Sequence, residues 1–463
     1  MDKARKHGKV GAPPQSFLDC LRHFLTPTVW KQVAHTERVK RLLRAPRRRK
    51  AAERWGAHPL VMVLLLMTWS SGDSIAERFE TARAFYVAAH GKRKRPGQTV
   101  EGFEKALGKL PLPVLRLVAD AICVALPILA PQLWEFYGFV LLGCDGSRVE
   151  TPRSAALEAK FGAANRKDSA PSLWLTMLVH LPLGVPWSWK WGRGDASERR
   201  HLCRMLAKLP ARALIVCDNG YVGYDVLGRI TGAKASYLIR MSSKETLYVT
   251  DVNKPLERFR QGLVWYWPRN AQREGLPALR ARLLRISPRI SRTKEAVWLL
   301  TNIVDPRLLR LKTAAKIYKW RWCNEGLFRA YKRTLGKMKL TSRSVRPLLR
   351  EAEGSALALQ LLLAQTAMAV FKDGRKNPPR ISPRKAILEV RREIDETVAH
   401  RAKRRRTYFA NLGRASCERR ARSSAKEKRA WPRRKRHTPP KPPKIRPITV
   451  DQKALLNQQL PAS

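Results

Sequence analysis

From about residue 137 onward, short apolar runs bounded by turn residues alternate with amphipathic stretches, whereas residues 1–134 carry only helical periodicity. An apolar stretch over about 59–70 is followed by the break Ser70-Ser71-Gly72-Asp73. Asp73 can then cap a second helix, on which Ile75, Phe79, Ala82 and Phe85 recur at helical spacing. A further helix is expected from Gln98-Thr99, and a long apolar one over 112–134. Strand-like runs follow at 139–144 (ending at Asp145), 173–181 and 185–191, the last with Trp187, Trp189 and Trp191 on one side. Then come a helix over 195–209, a short apolar strand at 213–217 ending at Asp218, a turn with a helix over 220–230, and a strand at 236–240. Three strands, helix, strand, helix, strand is the order of a ribonuclease-H-like α/β fold.

Residues 241–305 interrupt that order with strand-like pieces at 246–249, 263–267, 279–286 and 296–303. The expected organisation is therefore an α/β protein in five parts. An all-helical, DNA-binding region spans 1–134, and the first part of a ribonuclease-H-like core spans 135–240. A β-rich insertion spans 241–305, and the end of the core, with helices over 308–336 and 346–371, spans 306–372. A basic, largely disordered tail spans 373–463.

Within the 308–336 helix, Tyr318, Arg321, Glu325 and Lys332 lie 0, 3, 7 and 14 residues apart. At about 100° per residue they fall within roughly 60° of one another, on one face. A core face would be apolar and a solvent face mixed. One acid, two cations and a phenol on one stripe suit phosphate chemistry: a carboxylate for a metal and cations for phosphate oxygens.

Charge changes the picture next. The 463 residues hold 93 Lys and Arg against 36 Asp and Glu, a formal net charge of +57. Such a chain repels itself unless a polyanion neutralises it, and nucleic acid is the expected partner. The region over 59–90 is compatible with a helix-turn-helix reader in this basic setting. Residues 401–446 hold 19 basic and 2 acidic residues, a dense polyanion-binding run. Each neutralised phosphate should steepen the log–log salt dependence by roughly 0.9. The longest apolar run, Leu60–Trp69, is too short for the ~20 residues a bilayer span needs, and no signal peptide is visible. The expectation is a cytoplasmic protein with no membrane partner, associated with the bacterial nucleoid. The seven cysteines form no Cys-x-x-Cys or Cys/His cluster with zinc spacing and read as reduced thiols.

Asp145 and Asp218 each follow an apolar strand, where α/β sheets place side chains into a crevice. Both also sit in turn-rich sequence, Asp145-Gly146-Ser147 and Asp218-Asn219-Gly220-Tyr221. With Glu325 from the helix they would bring three carboxylates together, which repel unless cations intervene. Two Mg²⁺ ions about 3.5–4 Å apart would do so, and Mn²⁺ could substitute.

The spacing Tyr-x2-Arg-x3-Glu-x6-Lys, met by Tyr318, Arg321, Glu325 and Lys332, resembles the signature of DDE transposases of the insertion sequence 4 family. Asp145 in Cys-Asp-Gly-Ser and Asp218 in Cys-Asp-Asn-Gly-Tyr resemble that family's first two acidic motifs, over about 137–372. The resemblance implies cut-and-paste transposition by a homodimer in a synaptic complex. Asp145, Asp218 and Glu325 would be catalytic and metal-binding, acting on terminal inverted repeats and target DNA. Hydrolysis would free a 3′-hydroxyl for strand transfer. Tyr318, Arg321 and Lys332 would hold DNA phosphate. A tryptophan of the insertion, among Trp265, Trp267 and Trp298, would stack on a flipped base.

His180 could neighbour the metals but reads better as packed or solvated, and Asp195 and Glu198 read as a helix N-terminus. Two rival functions remain open on sequence alone. One is another endonuclease on the same fold. The other is a non-catalytic DNA-binding relative.

Overall fold

The computed structural model describes residues 16–42, 55–90, 96–162, 169–250, 259–291, 295–371, 381–399, 407–415 and 441–459. They form two compact units, one of residues 1–129 with 346–418, the other of residues 130–345 with 419–463.

The first unit is helical: α1 (Phe17–Phe24), α2 (Pro27–Leu42), α3 (Ala57–Trp69), α4 (Ile75–His90), α5 (Val100–Lys109) and α6 (Leu112–Leu129). They are joined by α15 (Val345–Phe371), α16 (Pro383–Ala399) and α17 (Tyr408–Ala415). Ser16 opens α1 with a capping box, its hydroxyl accepting from the Asp19 N–H and the Asp19 carboxylate accepting from the Ser16 N–H. Helix α3 is apolar on all sides because all sides are covered: Val61, Val63, Leu65, Leu66 and Trp69 are completely buried. Every side chain of α15 from Arg350 to Phe371 is buried too. Gly354 lets Leu64 pack on its backbone, where a Cβ would overlap the leucine side chain. The Trp69 indole donates to the Ala358 carbonyl (3.2 Å) and Arg116 reaches Glu353 (2.8 Å).

Two expectations fail here. Helix α15 lies almost wholly in the unit of the N-terminal helices, not at the end of the α/β core. A helix apolar all round has no stripe that names its partner. The expectation that no stretch is long enough to span a bilayer fails as well: although interrupted by polar residues, α6 and α15 are each long and apolar enough to cross a membrane by length and composition, the apolar part of α15 being wholly buried and α6 39% buried.

The second unit is built on one ten-stranded sheet, β1 (Val140–Glu150), β2 (Ser172–His180), β3 (Val185–Arg193), β4 (Ala213–Cys217), β5 (Ser236–Arg240), β6 (Thr246–Val249), β7 (Gln261–Tyr266), β8 (Leu279–Ile286), β9 (Val297–Thr301) and β10 (Lys444–Pro447). The spatial order is β10-β6-β7-β8-β9-β5-β4-β1-β2-β3. β1 and β2 pair antiparallel, as do β2 and β3, while β1, β4 and β5 run parallel. The β3-β2-β1-β4-β5 half, with α9 (Glu198–Met205) and α10 (Tyr224–Gly232) following β3 and β4, is the ribonuclease-H-like arrangement the strand order predicts. The β-rich insertion does not stand apart. β9 pairs antiparallel with β5, so the insertion extends the core sheet.

Short helices α7 (Pro131–Trp134), α8 (Ala155–Phe161), α11 (Arg269–Arg273) and α12 (Pro288–Ser291) fill connections, and α13 (Leu311–Trp320) with α14 (Trp322–Arg329) covers one sheet face. α18 (Val450–Gln459) follows β10. The segment expected to be disordered from 373 thus contains α16, α17, β10 and α18. Its apolar residues find partners elsewhere in the chain: Ile387, Val390, Ile394 and Leu412 are completely buried, and Leu456 packs near Trp267. The densest part of the basic run, 416–440, lies outside the described residues.

Candidate active site

Alternation along β1 assigns its side chains to two faces. Leu142 and Cys144 join the core beneath α9 and α10, and Leu141 joins the core beneath α13. Gly143 and Asp145 therefore face the α13–α14 side, and Gly146 the α9 side. The same parity holds on β4, where Ile215 and Cys217 lie on the α9 side and Leu214 and Val216 on the other. Asp218 continues that second row. Gly143 is in register with Val216, so Asp145 and Asp218 each lie two residues beyond a paired position on neighbouring parallel strands.

β1 does not end at Asp145, as the sequence suggested. It continues to Glu150 because β2 is long enough to pair it, Glu150 opposite Ser172. Asp145 instead marks where β4 stops and one side of β1 opens. Asp218 caps a short 3₁₀ turn over Asn219–Tyr221, its Oδ1 accepting from the Gly220 N–H at 2.9 Å. Asp145 Oδ1 accepts from the Gly146 N–H at 2.8 Å.

The expected continuous helix over 308–336 is broken. α13 ends at Trp320, Arg321 forms the turn, α14 runs to Arg329, and residues 330–334 are a π-helical segment. The stripe of four therefore splits. Tyr318 and Arg321 are buried at 8% exposure each, and the Arg321 Nη2 stands 3.6 Å from Glu325 Oε1. Tyr318, Asp145, Asp218 and Glu325 all bias the Arg321 charge. Burial works against it, yet these neighbours together leave its pKa raised. Lys332 is carried elsewhere. Its electrostatic neighbours are Glu150 and Arg148, and burial lowers its pKa. The wider π turn rotates it off the regular helical face.

Burial pushes the Asp145 carboxyl up to about 6, against the Gly146 hydrogen bond and Arg321; Asp218 and Glu325 push it further in the same direction. Uncompensated polar groups gather around it. Asn324 is completely buried with neither amide atom hydrogen-bonded, and Arg321 Nε also lacks a partner. Buried groups of this kind concentrate where a substrate or ion completes the site.

Among the described residues, no three His, Cys, Asp or Glu side chains already stand close enough to hold a metal ion. The donor set nonetheless fits Mg²⁺ or Mn²⁺ in kind: all oxygen, with one oxygen of each aspartate tied by a backbone N–H and a half-buried Glu325 held by Arg321. Glu325 would have to leave Arg321 to join the aspartates.

Two neighbours were missed in the sequence. Glu198 enters from the opposite sheet face, where a Cβ on Gly146 would lie 3.0 Å from its Cδ and Oε1. Burial raises its pKa, the buried Tyr221 hydroxyl opposes that, and Asp218 and Asp145 add to it. Its position at the start of α9, after the N-cap Ser197, is what made it look merely like helix-end chemistry. Trp322 is 56% exposed, with the Arg321 guanidinium 5.1 Å from its ring centroid. By contrast Trp265, Trp267 and Trp298 are buried in the core, which leaves no exposed ring among them. His180 is packed, as the simpler reading held: it stacks on Trp134 at 4.8 Å, donates from Nε2 to the Trp134 carbonyl, and burial lowers its pKa to about 4.

No curated protein matches the chain. Among solved structures, it is similar to the cryo-EM structure of the piggyBac transposase synaptic complex with hairpin DNA at 9% identity, covering 84% of this chain and 86% of that one, with a TM-score of 0.43. It is also similar to the Mos1 transposase paired-end complex with left transposon end at 11% identity, 44% and 66% coverage, and a TM-score of 0.16. Residues 144–361 match the family model of the transposase DDE domain, a span that contains all six predicted site residues, and this match supports a DDE transposase.

Proposed function

We propose that the protein is a cut-and-paste DNA transposase of the insertion sequence 4 type, with Asp145, Asp218 and Glu325 as its catalytic carboxylates. The observation that supports the reading is that Asp145, Asp218 and Glu325 all act electrostatically on the buried Arg321 at the open end of β4, inside the segment that matches the transposase domain. A bound pair of Mg²⁺ ions would activate the attacking oxygen and stabilise the leaving oxygen of a phosphodiester.

The chain's own residues supply the rest. Asp145 and Asp218 project from rigid strands, which fixes them for an in-line displacement. Arg321 offers a guanidinium fork to a phosphate once Glu325 releases it. Tyr318 walls the same edge. Lys332, with Glu150 and Arg148 as its electrostatic neighbours, would hold phosphate further along β1. Double-stranded DNA with terminal inverted repeats would be the substrate, target DNA the acceptor, and a homodimer the working form.

The test uses a plasmid carrying the reading frame in its native flanking DNA. Purified protein with Mg²⁺ should produce 3′-hydroxyl breaks confined to two inverted-repeat ends, and Glu325→Gln should bind but not cut. Scattered breaks without end preference would favour a general nuclease instead. Cleavage surviving Glu325→Gln would sink the assignment.

A further inference from the structure

On the face of the sheet opposite α14, α9 and α10 pack side by side and enclose a cleft of about 810 Å³. Arg199, Arg200 and Arg204 reach it from α9 and Arg229 from α10. Among the described residues, none of the four has a carboxylate within ion-pair distance. Two acids share the lining: Glu245, which accepts the Tyr266 hydroxyl at 2.9 Å, and Asp225, which sits in the first turn of α10, where the helix dipole favours an acid. Four guanidiniums against two carboxylates leave the cleft positive.

In a chain of this charge, scattered surface arginines carry no message. Four around one concavity differ, because like charges there repel one another and a cleft focuses their field outward. The cost is relieved when an anion enters. Arg200 and Arg204 lie one turn apart, about 6 Å along the helix axis, so their charges form a row and do not converge on a point. A row suits a chain of phosphates more than one small anion.

The cleft also connects to the acidic turn. Arg199 Nε donates to the Gly220 carbonyl at 2.8 Å, two residues past Asp218. A Cβ on Gly223 would lie 3.4 Å from Arg199 Nη1, so the glycine allows that arginine to lie along the turn. Val222, Gly223 and Tyr224 then pass directly into the cleft wall.

We infer that this arginine cleft is a second nucleic-acid site, which holds the phosphodiester backbone of a strand running away from the carboxylates past the Asp218 turn. The identity of the polyanion as DNA rests on the transposase reading; the site itself does not. It is sequence-independent, since guanidinium–phosphate contacts position a strand without reading bases.

Arginine-directed labelling with phenylglyoxal, read residue by residue by mass spectrometry, tests it without any need for catalysis. The full chain is labelled without metal, alone, with a saturating DNA duplex, and with inorganic phosphate at the same phosphate concentration. Labelling of Arg200, Arg204 and Arg229 should fall several-fold with duplex and not with phosphate. Unchanged labelling on fully bound protein, or equal protection by phosphate alone, overturns the inference. The variant R200Q/R204Q/R229Q separates contact from indirect shielding. If folded by circular dichroism, it should lower the log–log salt slope of duplex binding by about 2–3, at roughly 0.9 per lost contact. An unchanged slope overturns the inference as well. Protection without any cleavage activity would leave the cleft standing and remove the transposase reading; end-specific cleavage without protection would do the reverse.

Discussion

Asn324 lays its buried carboxamide against Gly143 so closely that a Cβ on the glycine would stand 2.8 Å from Asn324 Nδ2 and 2.6 Å from a Leu181 methyl. β1 and α14 can approach to this distance only because Gly143 has no side chain. Gly143→Ala should push α14 away from β1 and cost about 1–3 kcal/mol, the usual range for overpacking a core. Chemical denaturation of the full chain measures the loss. Cleavage should fall more than stability does, because Glu325 rides on the displaced helix. A variant as stable and as active as wild type would show that this contact does not set the site.

The Asn324 amide has no partner to lose. Asn324→Leu keeps its volume and removes two buried, unsatisfied groups, each of which costs about 1–3 kcal/mol. The variant should unfold at equal or higher denaturant concentration and cut DNA more slowly. Greater stability with undiminished cleavage would make the amide a structural leftover.

Metal-free stability should respond to pH in two opposed ways. The folded Asp145 carboxyl sits near 6 against 3.8 unfolded, so the folded state holds its proton longer. Its contribution is present below about pH 4 and is lost as pH rises through 6, worth roughly 3 kcal/mol in all. His180, lowered from 6.5 to about 4 by burial, acts the other way, with stability lost as pH falls from 6.5 towards 4. Asp145→Asn should therefore be more stable than wild type at pH 7 in EDTA, and should expose the His180 slope between pH 4 and 6.5. Equal stability of variant and wild type at pH 7 would mean that Asp145 is not desolvated.

Glu198→Gln tests the carboxylate on the far sheet face. Its approach to Gly146 places a charge beside Asp145, where it would help hold a cation or set the acidity of the other two carboxylates. With the fold retained, cleavage should need several-fold more Mg²⁺ for half-maximal rate, or shift its pH profile. If neither moves, Glu198 is a packing residue only.

The sequence carries much of this architecture and loses it at definite points. Strands such as Ala213–Cys217 are legible because they are short, wholly apolar and followed by turn chemistry. Asp145 and Asp218 could be singled out because each directly follows a short apolar run, although β1 continues past Asp145 to Glu150. Glu325 and Lys332 could be put on one face only by assuming a regular helix. The turn at Arg321 and the π segment at 330–334 are decided by packing against the sheet, and they separate Lys332 from the rest. Glu198 and the arginine cleft were hidden for another reason: each is assembled from α9 and elements distant in sequence, and no local spacing announces it.

β10 covers the β6 edge by lying parallel to a strand that stands almost two hundred residues earlier in the chain, and becomes the sheet's own edge, a short one blunted by Lys444, Arg446 and Pro447. Chains are synthesised from the N-terminus and domains fold as they emerge. During translation the β6 edge is therefore open until residues 444–447 arrive, and it is a hydrogen-bonding template throughout that interval. A ribosome that stalls after Glu325 but before residue 444 leaves a chain with all three candidate carboxylates and an uncovered β6 edge. Such a fragment is a hazard for aggregation.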